Sequence, residues 1–211
     1  TFHNQGCSML GLVFSTRASA QSFVDQSANG RFDAPEVGEY VKVDGGLVVV
    51  TGPGKIHATL RTERFLQQHD LDLVIHAGRA VALGEEVEPG TLVGASFVLE
   101  GDRVALHDPT YPRMPLERLP GLSHEGTLVS QDHTDDAPAE EKSYWERIAD
   151  MRDDTGYAVA YVAAQHGVPC RIVKGITHRA SETPDTARKD DVNEKLATQL
   201  RETLTSGAKD V

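Results

Sequence analysis

The sequence predicts a single α/β domain in which a mixed central β-sheet is flanked by helices. Three observations lead there. Apolar runs of strand length alternate with segments of helical periodicity and are interrupted by hairpin signals, the pattern of a mixed sheet wrapped by helices. A small-residue helix from Tyr157 to Ala164 is followed by Gly167-Val168-Pro169 and then by the apolar Cys170 to Ile176 run, so a helix able to pack closely on a sheet feeds a buried strand. The 211 residues, 39% of them hydrophobic, suffice for one good-sized core and show no compositional break that would divide it. The domain is expected to span residues 10–205, with 1–9 as an N-terminal extension and 206–211 as a C-terminal tail.

In chain order, Leu10 to Phe14 reads as a first buried strand, and Ser15-Thr16-Arg17-Ala18 as a polar turn opening a helix to about Val24. Tyr40 to Val43 and Leu47 to Val50 flank Asp44-Gly45-Gly46, residues that tolerate the positive φ a hairpin turn needs. Gly52-Pro53-Gly54 ends that second run, and Lys55 to Gln68 then carries Ile56, Leu60, Phe65 and Leu66 at helical spacing. Asp72 to Ala77 is a strand running into a glycine turn at Gly78. Thr91 to Leu99 and Val104 to Leu106 form a second hairpin, and Pro109 to Pro120 is a proline-rich excursion. Gly126 to Ser130 leads into Gln131-Asp132-His133, and acidic Asp135 to Lys142 makes a lip before a short helix around Tyr144 to Met151. Ser181 to Lys189 reads as mobile and Val192 to Leu204 as a final amphipathic helix.

The formal net charge of −11 argues against nucleic acid or an anionic membrane as partner, because either needs a basic face that displaces counterions. No run of about 20 apolar residues and no signal-peptide pattern is visible, so a cytoplasmic protein is expected. Cys7 and Cys170 offer neither a disulfide framework nor paired metal spacing, and His107 beside Asp108 does no better. The expectation is therefore no metal and no cofactor.

Three stretches carry a family resemblance. Val49-Val50-Thr51-Gly52-Pro53-Gly54-Lys55-Ile56-His57-Ala58 resembles T-G-(I/P)-G-K-(V/I)-(N/H)-A, and Val74-Ile75-His76-Ala77-Gly78-Arg79-Ala80 resembles V-(I/V)-N-x-G-(S/T)-A. The unit from Asp153 to His178 resembles (D/E)-M-E-(G/A)-x-A-(V/I)-A, then V-P, then (R/K)-x-(I/V)-S-D. In this order they resemble the methylthioadenosine/S-adenosylhomocysteine nucleosidases of the purine nucleoside phosphorylase superfamily, from about Leu10 to about Leu204. The resemblance implies a nucleoside phosphorylase-like fold, a small-molecule ligand, and a homodimer or higher homo-oligomer.

The departures fall on the working acids. Where such enzymes grip the sugar hydroxyls with the Glu of the M-E pair, this chain has Asp154-Thr155; where an Asp protonates the leaving purine, it has His178; where a first-loop Glu positions water, it has Ser19. Thr155 offers one hydroxyl where a carboxylate offers two acceptor oxygens and a charge. His178 can donate or accept a proton near neutrality, and its competing role is a loop histidine bonded to a backbone carbonyl. His76 falls where relatives carry Asn or Arg, and Arg79 where they usually carry Ser or Thr beside the water or phosphate locus. A guanidinium there would bind an anionic ligand group or stand in an outward salt bridge. Asp153 and Asp154 compete between catalysis and capping of the following helix.

The candidate catalytic residues are thus His178, His76 and Asp154, and the candidate binding residues are Arg79, Thr155, Gly78, Asp132, His133, Ser19 and Arg179. Gly52-Pro53-Gly54-Lys55 lacks the full spacing of a phosphate loop and reads as a tight strand-to-helix turn. Three functions stay open. One is a repurposed enzyme doing acid/base isomerisation, cyclisation or elimination on an anionic biosynthetic metabolite. The second is a divergent N-ribosyl hydrolase or phosphorylase, and the third is a non-catalytic metabolite-binding or partner subunit.

Overall fold

The computed structural model describes residues 9–28, 33–102, 112–133, 139–183 and 185–206. The first strand, β1 (Leu10–Phe14), is buried along its whole length because it lies between two parallel neighbours, β3 (Gly46–Val50) and β4 (Leu73–Ala82). β2 (Tyr40–Val43) pairs antiparallel with β3 as the edge strand of the expected hairpin, and its alternating exposure reflects that position. Beyond β4 the sheet closes on itself. β4 pairs with β8 (Met151–Asp153) and with β9 (Cys170–Arg179), β9 pairs with β5 (Leu92–Glu100), β5 with β7 (Glu125–Ser130), and β7 with β8. Those five strands form a ring, and β6 (Arg113–Pro115) adds to the outer edge of β5. The sheet is mixed, as expected, but part of it is a closed barrel rather than an open layer.

Helices cover both faces. On one side α2 (Lys55–Gln68) packs on α4 (Gly156–Gln165) over Val13, Val49, Val74, Ile172 and Ile176. On the other, α1 (Arg17–Ala28) packs on α5 (Thr186–Ser206) over Leu12, Phe14, Ile75 and Val173. α5 buries Val192, Leu196 and Leu200, spaced by four, and its close approach is possible because Gly175 has no side chain: a Cβ there would meet Val192 Cβ at 2.8 Å. Each fully buried aliphatic side chain contributes about 1.5–3 kcal/mol. α3 (Ala139–Ile148) closes a smaller cluster around Trp145, Leu99 and Val129.

Several elements differ from the sequence reading. Gly78 lies inside β4 with no positive φ, so the expected turn is continuous strand. β9 runs past Ile176 through His178, with Thr177 bulged out where the register shifts between Ala80 and Val81. The helix placed around Tyr144 to Met151 begins at Ala139, and Met151–Asp153 is a strand. α1 continues to Ala28. The stretch expected to be mobile is helical from Thr186, because the Asp185 carboxylate accepts the Ala187 N–H at 3.0 Å and caps it. Val104 to Leu106 and His107 lie outside the described residues.

Candidate active site

A polar cluster is built into the sheet beneath the carboxyl ends of β4 and β9. Lys174, central in β9 with 1% of its side chain exposed, places Nζ 2.6 Å from Asp153 Oδ2, itself 2% exposed. The same ammonium donates to His76 Nε2 at 2.7 Å, and His76 Nδ1 lies 2.9 Å from the Val13 carbonyl. That carbonyl can only accept, so Nδ1 carries the proton and the imidazole is neutral. Burial, then the Lys174 charge, push His76 below its ordinary pKa, in agreement. The 3.6 Å approach of His76 to Asp153 is therefore not an ion pair.

Asp153 Oδ1 accepts the Ser130 hydroxyl at 2.6 Å, and both carboxylate oxygens accept the Gly156 N–H, at 3.1 and 2.9 Å, as the capping role anticipated. Burial alone would raise the Asp153 pKa, but the charge of the Lys174 ammonium, above all, outweighs it and holds the carboxyl well below the usual range. Thr155 Oγ1 sits 3.2 Å from His76 Nε2 and donates to Asp153 Oδ2 at 3.3 Å. Burial pushes the nearby Cys170 thiol up to about 12, which leaves it unreactive.

A second network ties two further carboxylates to the start of α2. Gly54 takes φ +83°, a conformation that keeps a side chain away, and α2 has no capping side chain of its own. Its free N–H groups are met from across the fold: Gly54 N donates to Asp154 Oδ2 at 2.9 Å and Lys55 N to Asp132 Oδ1 at 2.9 Å. Lys55 Nζ pairs with Glu100 and, at 2.5 Å, with Asp102, whose Oδ2 accepts the Asp132 N–H at 2.7 Å. Burial opposes the Lys55 charge, but Asp102 and Glu100 prevail and its pKa is raised. The Gly52-Pro53-Gly54-Lys55 turn thus holds protein carboxylates.

Asp132 and Asp154 border a cavity of about 290 Å³ that is also lined by Arg79, Val81, Arg152 and Thr177. It lies where β4, β7, β8 and β9 end, the position at which such sheets take ligands. Another cavity, of about 380 Å³ between Gly84 and Asp150, contains none of the candidate residues.

The sequence-derived candidates divide accordingly. Arg79, Asp132 and Asp154 line the 290 Å³ cavity. Among the described residues, no hydrogen-bond or ion-pair partner of Arg79 is found. His76 and Thr155 are fully buried in the cluster below. The space that a Cβ on Gly78 would enter lies 3.5 Å from Ser15 Oγ and 3.6 Å from Lys174 Nζ, a small polar niche that glycine keeps open. His178 bonds Thr177 Oγ1 through Nδ1 at 2.8 Å, and Thr177 is the cavity's contact with it. Burial first and then Lys189 lower the His178 pKa; Glu182 pulls it the other way, and Arg152 and Arg188 lower it further. His133 is exposed after β7.

Two candidates are placed elsewhere. Ser19 is 2% exposed within α1 and donates to Asn193 Oδ1 of α5 at 2.8 Å, so it joins two helices. Arg179 pairs with Glu88 at 2.7 Å and Glu182 at 3.3 Å, which commits its guanidinium to surface carboxylates. Lys174 was missed, Ser130 was read only as a strand end and Lys55 only as part of a turn, and Asp153 was anticipated as a cap but not as the partner of a buried lysine. A lysine inside the apolar Cys170 to Ile176 run was the available signal, since a fully buried lysine demands a buried anion.

A 5'-methylthioadenosine/S-adenosylhomocysteine nucleosidase of Arabidopsis thaliana is 31% identical over 143 residues, 61% of this chain and 54% of that protein. The match therefore spans about half the length of that relative. A futalosine hydrolase mutant of Helicobacter pylori superposes with TM-score 0.78 at 18% identity, covering 94% of this chain and 99% of that one. The Arabidopsis thaliana 5'-methylthioadenosine nucleosidase in apo form gives TM-score 0.78 at 18% identity over 98% of each chain. At such identity these two show a shared fold. The sequence profile of the Phosphorylase superfamily matches residues 27–206, most of the chain, and this chain therefore belongs to that superfamily.

Proposed function

We propose that this chain hydrolyses the N-ribosidic bond of a nucleoside-like substrate. Cleavage makes the sugar cationic as the C1′–N bond breaks and its electron pair leaves with the base. One observation carries the reading: Asp154 borders the cavity with Oδ2 fixed by the Gly54 N–H, while Oδ1 has no partner among the described residues. A carboxylate oriented by backbone donors stabilises a neighbouring ribosyl cation without reorganising as charge develops. Asp132, held in the same way by the Lys55 N–H, supports it. Water supplies its oxygen to C1′ and its proton ends on the base. Burial, and then the neighbouring cations, favour neutral imidazole at His178, which suits it to accept a proton from water rather than to protonate the base.

A second reading, acid/base rearrangement of an acidic metabolite, draws on the unpartnered Arg79 guanidinium. One assay separates the two. Purified protein is incubated with purine nucleosides that carry neutral or acidic substituents, and free base is followed by chromatography. Base release by the wild type, reduced about 10²- to 10³-fold in Asp154→Asn, is expected. No release from any nucleoside overturns the hydrolase reading.

A further inference from the structure

The cavity is polarised, and its two walls carry opposite charge. Asp132 and Asp154 stand on the side of α2, where Gly54 and Lys55 hold them. The opposite wall is cationic. Val81 of β4 pairs with Arg152 of β8 on one side and with His178 of β9 on the other, so the three stand in one row across adjacent strands and face the same way. Arg79, two residues before Val81, shares that face.

Its pairing partner Gly175 lies against Val192, so this face looks toward α5. From α5, Arg188 reaches the Thr177 carbonyl at 3.3 Å, and Lys189 also bears on His178. Glu182 is the opposing charge there; it lies 3.8 Å from Arg188 and is already bonded to Arg179. In a chain with 21 Lys and Arg against 32 Asp and Glu, this concentration of cations is local. The Arg79 guanidinium, with no partner among the described residues, presents the planar donor fork that matches a carboxylate or a phosphoryl group.

We infer that Arg79, on the face of the cavity that it shares with Arg152, binds an acidic substituent of the substrate, a carboxylate or a phosphoryl group, while the Asp132 and Asp154 wall receives the sugar. This rests on the nucleoside reading and names the class of nucleoside: one that bears an anion.

Calorimetry with three ligands that share base and ribose tests it: adenosine, adenosine-5′-carboxylic acid and adenosine 5′-monophosphate. One or both acidic ligands should bind about ten- to a hundredfold more tightly than adenosine, and Arg79→Met should erase that preference. Preference for the carboxylate over the monophosphate assigns a carboxylate, and the reverse assigns a phosphoryl group. Binding of adenosine at least as tight as both acids overturns the inference, as does a preference that survives Arg79→Met. Both results are read from affinity alone, so they are independent of whether base is released, the result that decides the hydrolase reading.

Discussion

The Lys174 ammonium and the Asp153 carboxylate lie 2.6 Å apart with side-chain exposures of 1% and 2%, an ion pair sealed inside the barrel. Removing one member leaves an uncompensated buried charge, which costs about 3–5 kcal/mol. Lys174→Met should therefore lower the urea unfolding free energy by that amount, and the double variant Lys174→Met/Asp153→Asn should recover a substantial part. A Lys174→Met protein as stable as the wild type would show that the pair is solvated.

The clamp at the start of α2 predicts a graded effect. Asp132→Ala leaves the Lys55 N–H without its acceptor, a loss of about 1 kcal/mol. Asp132→Asn keeps an accepting oxygen and should cost less. Equal melting-temperature losses for the two variants would mean that the hydrogen bond contributes nothing.

Acid sensitivity follows from the buried imidazole. The folded-state pKa of His76 is depressed below its ordinary value of 6.5, so the unfolded chain binds a proton that the folded chain refuses. Stability is fully present above the ordinary value and falls as pH drops below it, by about 1.4 kcal/mol per pH unit per proton. His178, also depressed, adds to the same slope, whereas the Asp153 contribution is lost only at far lower pH. Urea titrations between pH 7 and 5 should show this decline, shallower in His76→Gln. A flat profile would contradict the neutral His76.

Thr155 and Ser19, which the motif resemblance sets against the Glu residues of the nucleosidases, are both buried in hydrogen bonds within the fold. Neutral methylthioadenosine should accordingly be a poor substrate, with turnover below the typical enzymatic range of about 1 to 10³ per second. Adenine release within that range would show that other residues replace the two acids.

Much of this architecture is local and was legible. β1, β3, α2 and α4 are recorded in apolar periodicity, with glycines at the starts of the last three, and all four appear close to where the pattern puts them. The barrel closure is not local: β9 joins β4 to β5 through pairings of distant segments, which no periodicity encodes. Gly78 looked like a turn because glycine permits one, yet its role is space beside Lys174 and Ser15. Arg79 and Asp154 were picked out by the motif resemblance and Asp132 by its place after the Gly126 to Ser130 run, and all three line the cavity. Lys55 was read only as part of a turn, because the acids it organises arrive from Glu100, Asp102 and Asp132.

The most direct test of the central claim is product analysis in H₂¹⁸O with an acid-bearing purine nucleoside as substrate, sampled early by mass spectrometry. Hydrolysis at C1′ predicts free base and free sugar in equal amounts, with one ¹⁸O on the sugar and none on the base, and loss of both products in Asp154→Asn. An intact or rearranged nucleoside without ¹⁸O, or products formed equally well by Asp154→Asn, would contradict it.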